Sequence, residues 1–188
     1  MPALLSILHA QAQKPRFGVK AGITIANCRI KSADPGTGTS KRISVIGGVF
    51  VHIPINKKFS LRPGVEFVCK GSQIMGKYND PYNSYSFTKE LQLSYLDIPV
   101  NLLYEIPVRA NKLFFGGGPV LSFLMNKIWN QGIANNDIGV NLLTGYEWPI
   151  GASVFINYTH GFKNISALYT NGNKVTNYYF GITVAYWF

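Results

Sequence analysis

The sequence of 188 residues has few charged residues and no long hydrophobic run. Charged residues make up 14% of the chain, whereas an ordinary soluble domain has about 25%. The unbroken apolar runs are only a few residues long, far short of the roughly 18 residues that a transmembrane helix needs. If this chain crosses a membrane, it must cross with β-strands, because every backbone polar group in lipid has to be paired internally.

Aromatic residues and glycine are plentiful, with 11 Tyr, 12 Phe and 19 Gly. The mean hydropathy of +0.08 is too low for a helical membrane protein. It fits a membrane β-barrel, because only alternate residues of such a barrel face lipid while the lumen and the loops stay polar. The composition therefore favours β-structure with little surface in contact with water.

The formal net charge is +10. Lysine and arginine could simply keep the loops solvated, or they could attract an anionic surface such as the phosphates of lipopolysaccharide. No basic helix and no motif that combines aromatic and basic residues for RNA binding occurs, so the sequence predicts no nucleic-acid partner.

The first residues, MPALLSILHAQAQ, have a short apolar core followed by Ala-Gln-Ala, a small-residue pattern typical of signal-peptidase sites. We interpret residues 1–12 as a signal peptide that lacks its basic start, and residues 13–188 as one barrel domain. The alternative is an N-terminal helix that is retained. Cys28 and Cys69 have opposite strand parity, so we expect two free thiols on opposite sides of the barrel wall.

Alternation of apolar and polar residues between turn signals predicts eight strands. Their expected ranges are 16–30, 43–55, 59–70, 90–104, 112–126, 137–147, 152–162 and 175–188. In the fourth strand the apolar parity switches between Tyr95 and Leu96, which suggests a β-bulge there. The predicted fold is an all-β, eight-stranded, antiparallel up-and-down transmembrane barrel.

The connections alternate in length. Long ones are expected at 31–42, 71–89, 127–136 and 163–174, and short ones at 56–58, 105–111 and 148–151. Outer-membrane barrels have long extracellular loops and short periplasmic turns, so we expect a bacterial outer-membrane protein with both termini in the periplasm.

The last strand ends on phenylalanine and has a hydrophobic or aromatic residue at every second position before it. This pattern is typical of the signal that the barrel-assembly machinery reads during insertion. The residues of the signal are Tyr178, Phe180, Ile182, Val184, Tyr186 and Phe188. A soluble protein with so apolar an edge strand would tend to aggregate.

Several segments, in order along the chain, resemble the PorT-like outer-membrane β-barrel family of Bacteroidetes-type bacteria. They are FGVKAGIT, LRPGVEFVCKG, LSYLDIPVNLLYEI, FFGGGPVLSFL, IGVNLLTGYEW, INYTHGFKNIS and YYFGITVAYWF. The resemblance covers nearly all of the chain after residue 13 and implies an outer-membrane barrel. Some members of that family are linked to protein secretion and gliding, so the resemblance suggests a link to secretion.

Strand parity predicts a polar network inside the barrel, of structural character because eight strands enclose a space that side chains can fill. Its predicted members are Lys20, Arg62, Glu66, Lys70, Asp97, Asn101, Glu147 and Asn157. His52 and His160 are expected near opposite ends of the barrel, and neither a GxSxG motif nor Cys/His metal spacing occurs. We therefore predict no catalytic site, metal or cofactor, although His160 with an acid such as Asp137 could in principle do acid–base work at the outer rim.

Four aromatic residues, Tyr78, Tyr82, Tyr85 and Phe87, fall in the second long loop. They form a surface for a ligand or an unidentified protein partner, or they belong to ordinary loop packing or to the upper aromatic girdle of the membrane zone. The sequence thus favours a non-enzymatic outer-membrane barrel that contacts lipopolysaccharide and other molecules through its outer loops. The alternatives are a soluble lipocalin-like barrel with an apolar ligand, a lipid-modifying barrel enzyme and a small pore.

Overall fold

The computed structural model describes residues 14–31, 37–80, 83–127, 134–165 and 174–188, and the regular structure within these ranges is β-strand. The strands are β1 (Arg16–Lys31), β2 (Thr37–Ser40), β3 (Arg42–Pro54), β4 (Phe59–Asp80), β5 (Asn83–Val108), β6 (Asn111–Lys127), β7 (Asn136–Glu147), β8 (Ala152–Gly161) and β9 (Lys174–Trp187). In these ranges no helix is long and apolar enough to cross a membrane.

The sheet closes on itself, and every pairing is antiparallel. Each strand from β3 onward pairs with the next, and β9 pairs with β1 from Gly18↔Trp187 to Lys31↔Lys174. The short β2 continues β3 beyond Lys41 and pairs with the outer part of β4. β2 and β3 therefore act as one barrel strand, and the predicted eight-stranded up-and-down barrel is confirmed.

The two ends of the barrel differ. Residues 55–58, 109–110 and 148–151 connect strands at one end, which we call the turn end. Arg16 and Trp187 lie at the same end. The opposite end, which we call the loop end, carries the connections that include residues 32–36, 81–82, 128–133 and 166–173.

The outer face of the wall is apolar. Large hydrophobic side chains such as Val49, Leu102, Leu142 and Ile182 are about half exposed, although they belong to regular strands. Along β9, the outward residues run from Tyr178 to Phe188, which corresponds to about 33 Å of strand. At a tilt of about 40° this length spans about 25 Å, the height of the apolar band of outer-membrane barrels.

Aromatic pairs lie on this outer face near the turn end. Phe59 and Phe115 flank Tyr104, with ring centroids 5.1 and 5.3 Å from it. Tyr186 and Phe188 form a second pair with centroids 5.5 Å apart. Such rings match the aromatic girdle that marks one interface of a membrane-spanning barrel.

The interior has apolar layers near both ends. Near the turn end, Phe50, Leu103, Phe114, Phe155 and Trp187 pack together with Leu143 and Ala185. Near the loop end, Cys28, Leu93, Tyr95, Ile165 and Val175 form another buried cluster. The polar side chains of the interior lie mainly between these layers, so the middle of the barrel is separated from water at both ends.

The structure corrects the prediction of a loop over residues 71–89. β4 and β5 continue to pair through this range, from Gly71↔Gln92 to Asp80↔Asn83, and form a long hairpin. The polar composition suggested a loop because it lacks the apolar alternation by which a strand with one apolar face is recognised.

The bulge also lies elsewhere than predicted. The register with β4 is continuous through Tyr95 and Leu96, so β5 has no extra residue there. Instead Ser94 pairs with Asn126 while Tyr95 pairs with Leu124, which leaves Met125 of β6 as the inserted residue. The apolar parity of β5 switches because Leu93 and Tyr95 face the interior cluster at the loop end.

Candidate functional site

The middle of the barrel interior contains an ion pair between Lys70 and Asp97. Lys70 Nζ lies 2.8 Å from Asp97 Oδ2 and donates a hydrogen bond of 2.9 Å to Ser122 Oγ. Lys70 is 3% exposed and Asp97 is fully buried. The rings of Tyr95 and Tyr179 lie 4.7 and 5.5 Å from the ammonium group. Lys70 is thus held by one carboxylate, one hydroxyl and two aromatic faces.

Lys20 forms a second interior ion pair with Glu66. These residues belong to strands that are not neighbours, and Gly48 lies between them in register. A glycine has no side chain to fill the space above it, so the lysine side chain can cross β3 and reach the carboxylate. The glycine at position 48 therefore allows the ion pair between Lys20 and Glu66 to form.

Arg62 is buried among the aromatic rings of the turn-end layer. Its guanidinium carbon lies 4.6 Å from the ring centroid of Phe114, 5.1 Å from that of Trp187 and 5.2 Å from that of Phe50. Its three nitrogens make no hydrogen bond with any residue that the structure describes. Cation–π contacts, which are strongest in desolvated sites, therefore hold this arginine.

Glu105 is the centre of a polar cluster next to the turn end. It accepts a hydrogen bond of 2.5 Å from the Ser60 hydroxyl, and its other oxygen lies 3.1 Å from Lys112 Nζ. His52 Nε2 is 3.4 Å from Glu105, and the imidazole stacks on the Trp187 ring at a centroid distance of 5.6 Å. The serine is bonded to the carboxylate and not to the histidine, so this cluster does not have the arrangement of a Ser-His-acid triad.

Neutral side chains complete the polar layer. Asn141 Nδ2 donates a hydrogen bond of 2.9 Å to Asn101 Oδ1. Asn141 Oδ1 accepts a bond of the same length from the Thr159 hydroxyl. This chain connects β5, β7 and β8 through the barrel interior and satisfies amide groups that would otherwise be buried without partners.

The structure places all eight residues of the predicted network inside the barrel. They are Lys20, Arg62, Glu66, Lys70, Asp97, Asn101, Glu147 and Asn157. It brings Lys20 to Glu66 and Lys70 to Asp97, whereas Glu147 lies 3.9 Å from Arg16 near the turn end. Arg62 makes no ion pair with the described residues, and the amide oxygen of Asn157 accepts no hydrogen bond from them.

Sequence reasoning missed the cluster around Glu105, because residues 105–111 were expected to form a turn. β5 in fact continues to Val108. Alternation carried past Tyr104 would have placed Glu105 on the same face as Asp97 and Asn101. Asn141 and Thr159 were also missed, although both lie at inward parity in β7 and β8.

The paired interior charges are suited to holding the wall together. The gap beside Lys70, which Asp137, Asn177 and Thr159 line in part, is too small to hold a water molecule. In the described ranges, no group of three or more His, Cys, Asp or Glu residues is arranged to hold a metal ion. Each buried carboxylate of the two central pairs already has a cation partner, so neither is available to a substrate without loss of that pair.

The two described histidines lie on opposite faces of the wall. His52 is 1% exposed and faces the interior near the turn end. His160 faces outward near the loop end, with Nδ1 3.2 Å from the Tyr158 hydroxyl. Asp137 is buried on the inner face, where it accepts hydrogen bonds from the backbone amides of Ile138 and Lys163. The structure therefore does not bring Asp137 and His160 together as an acid–base pair.

The aromatic residues of the predicted second loop lie on the β4–β5 hairpin instead. Tyr78 pairs with Tyr85, and Gly76 pairs with Phe87, through the backbone. Tyr82 lies outside the described residues, and the same holds for the side chains of the other three. The cysteines follow the prediction, since Cys28 is buried inside, Cys69 is on the other face, and both are free.

The residues of the predicted assembly signal face outward. Phe180, Ile182, Val184, Tyr186 and Phe188 are exposed, and Tyr178 is half-buried. The intervening residues, from Tyr179 to Trp187, are buried inside. From Tyr178 to Tyr186, β9 thus presents an apolar face to its surroundings, and both of its edges are paired, by β1 and β8.

A closed barrel with an apolar outer band and a polar interior defines the class of transmembrane β-barrels. The model of the outer membrane protein beta-barrel domain matches residues 10–183, so the chain belongs to that family. It is a small outer-membrane β-barrel protein of the bacterial outer membrane.

Solved structures show the same fold. Neisserial surface protein A is 14% identical, with a TM-score of 0.53 over 94% of this chain and 100% of that one. OprG from Pseudomonas aeruginosa is 16% identical, with a TM-score of 0.52 over 95% of this chain and 99% of that one. No curated protein matches the sequence. The apolar exterior also removes the lipocalin-like alternative, which requires the opposite polarity.

Proposed function

We propose that this protein is a non-enzymatic barrel that contacts other molecules through its loop end. The observation that carries the proposal is the β4–β5 hairpin. β5 pairs with β6 only from Leu93 onward, and β4 pairs with β2 no further than Gly76 in the described ranges. The ten residues of β5 before Leu93 correspond to about 33 Å of strand that has no β6 partner among the described residues.

The chemistry of this hairpin supports contact with a partner. Ser86, Thr88 and Glu90 are exposed on β5, and the outer edge of this strand offers unpaired backbone groups beyond Leu93 in the described ranges. Exposed strand edges can accept another strand, which is a common mode of peptide recognition. The polar side chains keep such an edge soluble until a partner covers it.

The interior supports a role without catalysis or transport. The two apolar layers and the ion pairs between them fill the middle of the barrel. A conducting path would require these pairs to separate in a dry environment, which is costly. We therefore expect planar-bilayer recordings to show no conductance steps above background; regular steps would favour a small pore.

Site-specific cross-linking tests the proposal. A photoreactive amino acid at Ser86 or Thr88 of the full-length protein in native outer membranes is expected to give discrete adducts. The matched control is Lys57, which is exposed in the β3–β4 turn at the other end of the barrel. Adducts that are absent at Ser86 and Thr88, or identical at Lys57, would contradict a recognition role for the hairpin.

A link to secretion is proposed from the resemblance to PorT-like proteins. Its support is the ordered set of similar strand segments from FGVKAGIT to YYFGITVAYWF. The test is a comparison of secreted proteins from strains with and without the gene. Unchanged secretion, together with intact hairpin adducts, would remove this link and leave the recognition role in place.

We also propose export with removal of residues 1–12, and an orientation with both termini in the periplasm. The placement of Arg16 and Trp187 at the end with the short turns supports this orientation. Residues 1–12 themselves lie outside the described part of the chain. The mass of the mature protein tests the cleavage, and labelling of intact cells at Thr88 and Lys57 tests the orientation, with label expected at Thr88 alone.

A further inference from the structure

A row of polar side chains crosses the outer wall at the edge of the apolar band. His160 of β8 pairs in register with Tyr178 of β9, which pairs with Asn27 of β1. Asn27 Nδ2 donates a hydrogen bond of 3.2 Å to the Tyr178 hydroxyl. Two residues further toward the turn end, the next row consists of Tyr158, Phe180 and Ile25, so the wall changes from polar to apolar within one step.

A cavity opens beside the polar row. It has a volume of about 280 Å³, and its lining includes Arg29, Thr39, Tyr158, His160 and Tyr178. Arg29 is exposed and lies two residues beyond Asn27 toward the loop end. None of the residues that line this cavity is acidic, so Arg29 gives it a positive potential.

An apolar groove adjoins this cavity and shares Tyr158 with it. The groove has a volume of about 650 Å³ and runs over Leu142, Ile156, Phe180 and Ile182. Its depth arises because Gly116 and Gly181 lie beneath it. A hydrocarbon chain fits its apolar lining, and the polar cavity stands where the headgroup of the same lipid would be.

We propose that this part of the wall binds a phosphorylated glycolipid of the lipid A type. An acyl chain occupies the groove, and a phosphate group accepts hydrogen bonds from Arg29 and His160. Because His160 Nδ1 contacts the Tyr158 hydroxyl, Nε2 is the ring nitrogen that remains to donate to the phosphate. The choice of a glycolipid over a phospholipid rests on the proposed orientation, in which the loop end meets the outer leaflet.

Native mass spectrometry of the full-length protein in detergent, titrated with diphosphoryl lipid A, tests this site. We expect the double variant Arg29→Gln/His160→Gln to bind about tenfold more weakly, because it loses charge-assisted hydrogen bonds to phosphate. Lys57→Gln removes one positive charge at the turn end and should bind like the native protein. Equal binding by the double variant and the native protein would overturn the proposal.

A second pair of variants tests the groove. Ile156→Trp fills it, whereas Ile138→Trp adds the same bulk to an equally exposed outer position that does not line it. We expect weaker lipid A binding only for Ile156→Trp. The mobility of unboiled samples on gels checks that both variants fold. Equal affinity of these two variants would overturn the assignment of the groove to an acyl chain.

Titration of the protein with phosphatidylglycerol in the same detergent forms the last arm of the test. Affinity for phosphatidylglycerol equal to that for lipid A would overturn the choice of glycolipid. Lipid binding is measured on the purified protein in detergent. Its result therefore does not depend on the labelling of intact cells that tests the orientation, nor on the cross-linking that tests the hairpin. Failure of the lipid site and failure of the recognition role can therefore be told apart.

Discussion

The inner and outer faces of the wall are built from the same strands but meet opposite environments. On β9, Ile182 is 56% exposed, whereas its neighbour Thr183 is fully buried. In a soluble barrel the apolar residue would be the buried one. The comparison shows that lipid, and not water, is the solvent to which the outer face is matched.

The inner face of the wall is not uniformly polar, so the contrast with the apolar outer face is sharpest in the middle of the barrel. Aromatic and aliphatic layers lie near both ends, and the ion pairs of Lys20 and Lys70 lie in the middle. Charges in such a dry layer are stable only when they are paired. Variants that remove one partner, or place a charge on the other face, therefore test the contrast directly.

The largest expected effect follows from Lys70→Met. This change leaves Asp97 as an unpaired buried carboxylate and should lower the free energy of unfolding by about 3–5 kcal/mol. Denaturant titration of the protein in lipid vesicles, followed by tryptophan fluorescence, measures it. The double variant Lys70→Met/Asp97→Leu should recover most of the loss. A single variant as stable as the native protein would show that the pair is not desolvated.

A charge on the lipid-facing side of the wall should lower the free energy of unfolding somewhat less than Lys70→Met does. Ile182→Arg lies midway between Tyr178 and Tyr186 on the outer face and should destabilise the barrel in vesicles by about 2–4 kcal/mol. The same titration on Tyr178→Arg, at the edge of the apolar band, should show about 0–1 kcal/mol. An equal loss of unfolding free energy at the two positions would mean that depth in the membrane does not determine the loss.

Loss of an interior amide should have a smaller effect. Asn141→Leu leaves Asn101 Oδ1 without its donor and Thr159 without its acceptor. We expect a loss of about 1–3 kcal/mol, the usual cost of a buried polar group that loses its partner. The unfolding midpoint in vesicles measures this loss, and an unchanged midpoint would indicate that water replaces the amide.

The smallest effect is expected for the ion pair outside the barrel interior. Arg42 Nη1 lies 3.9 Å from Glu90 Oε2, and the Glu90 side chain is 62% exposed. Water screens such a pair, so Glu90→Gln should change the unfolding free energy by less than about 1 kcal/mol. A cost close to that of Lys70→Met would contradict the distinction between interior and exposed pairs.

The strands were largely predictable because alternation with period two follows directly from a wall between lipid and a filled lumen. The range 137–147 was predicted for β7, which spans Asn136–Glu147, and 152–162 for β8, which spans Ala152–Gly161. The inward positions of Lys70 and Asp97 follow from the same alternation. Their pairing does not, because it depends on the register between β4 and β5.

The errors arose where the environment on one face changes along a strand. Leu93 and Tyr95 are apolar and face inward, so their parity looked like an inserted residue. The hairpin beyond Leu93 and Gly76 has a polar sequence that lacks the alternation by which a strand is recognised. Alternation could not reveal the inserted residue Met125, because Leu124, Met125 and Asn126 lie near the end of β6, where too few residues follow to show a change of parity.

Spin-label accessibility along β9 in lipid vesicles tests the central claim most directly. Labels at Phe180, Ile182 and Val184, placed singly in a Cys28→Ser/Cys69→Ser background, should be accessible to oxygen and inaccessible to a water-soluble nickel complex. A label at Lys57, which is exposed in the turn between β3 and β4, should be accessible to the nickel complex. If the nickel complex reached Ile182 and Val184 while oxygen did not, the outer face would be in water, and the account of a membrane-spanning barrel would be wrong.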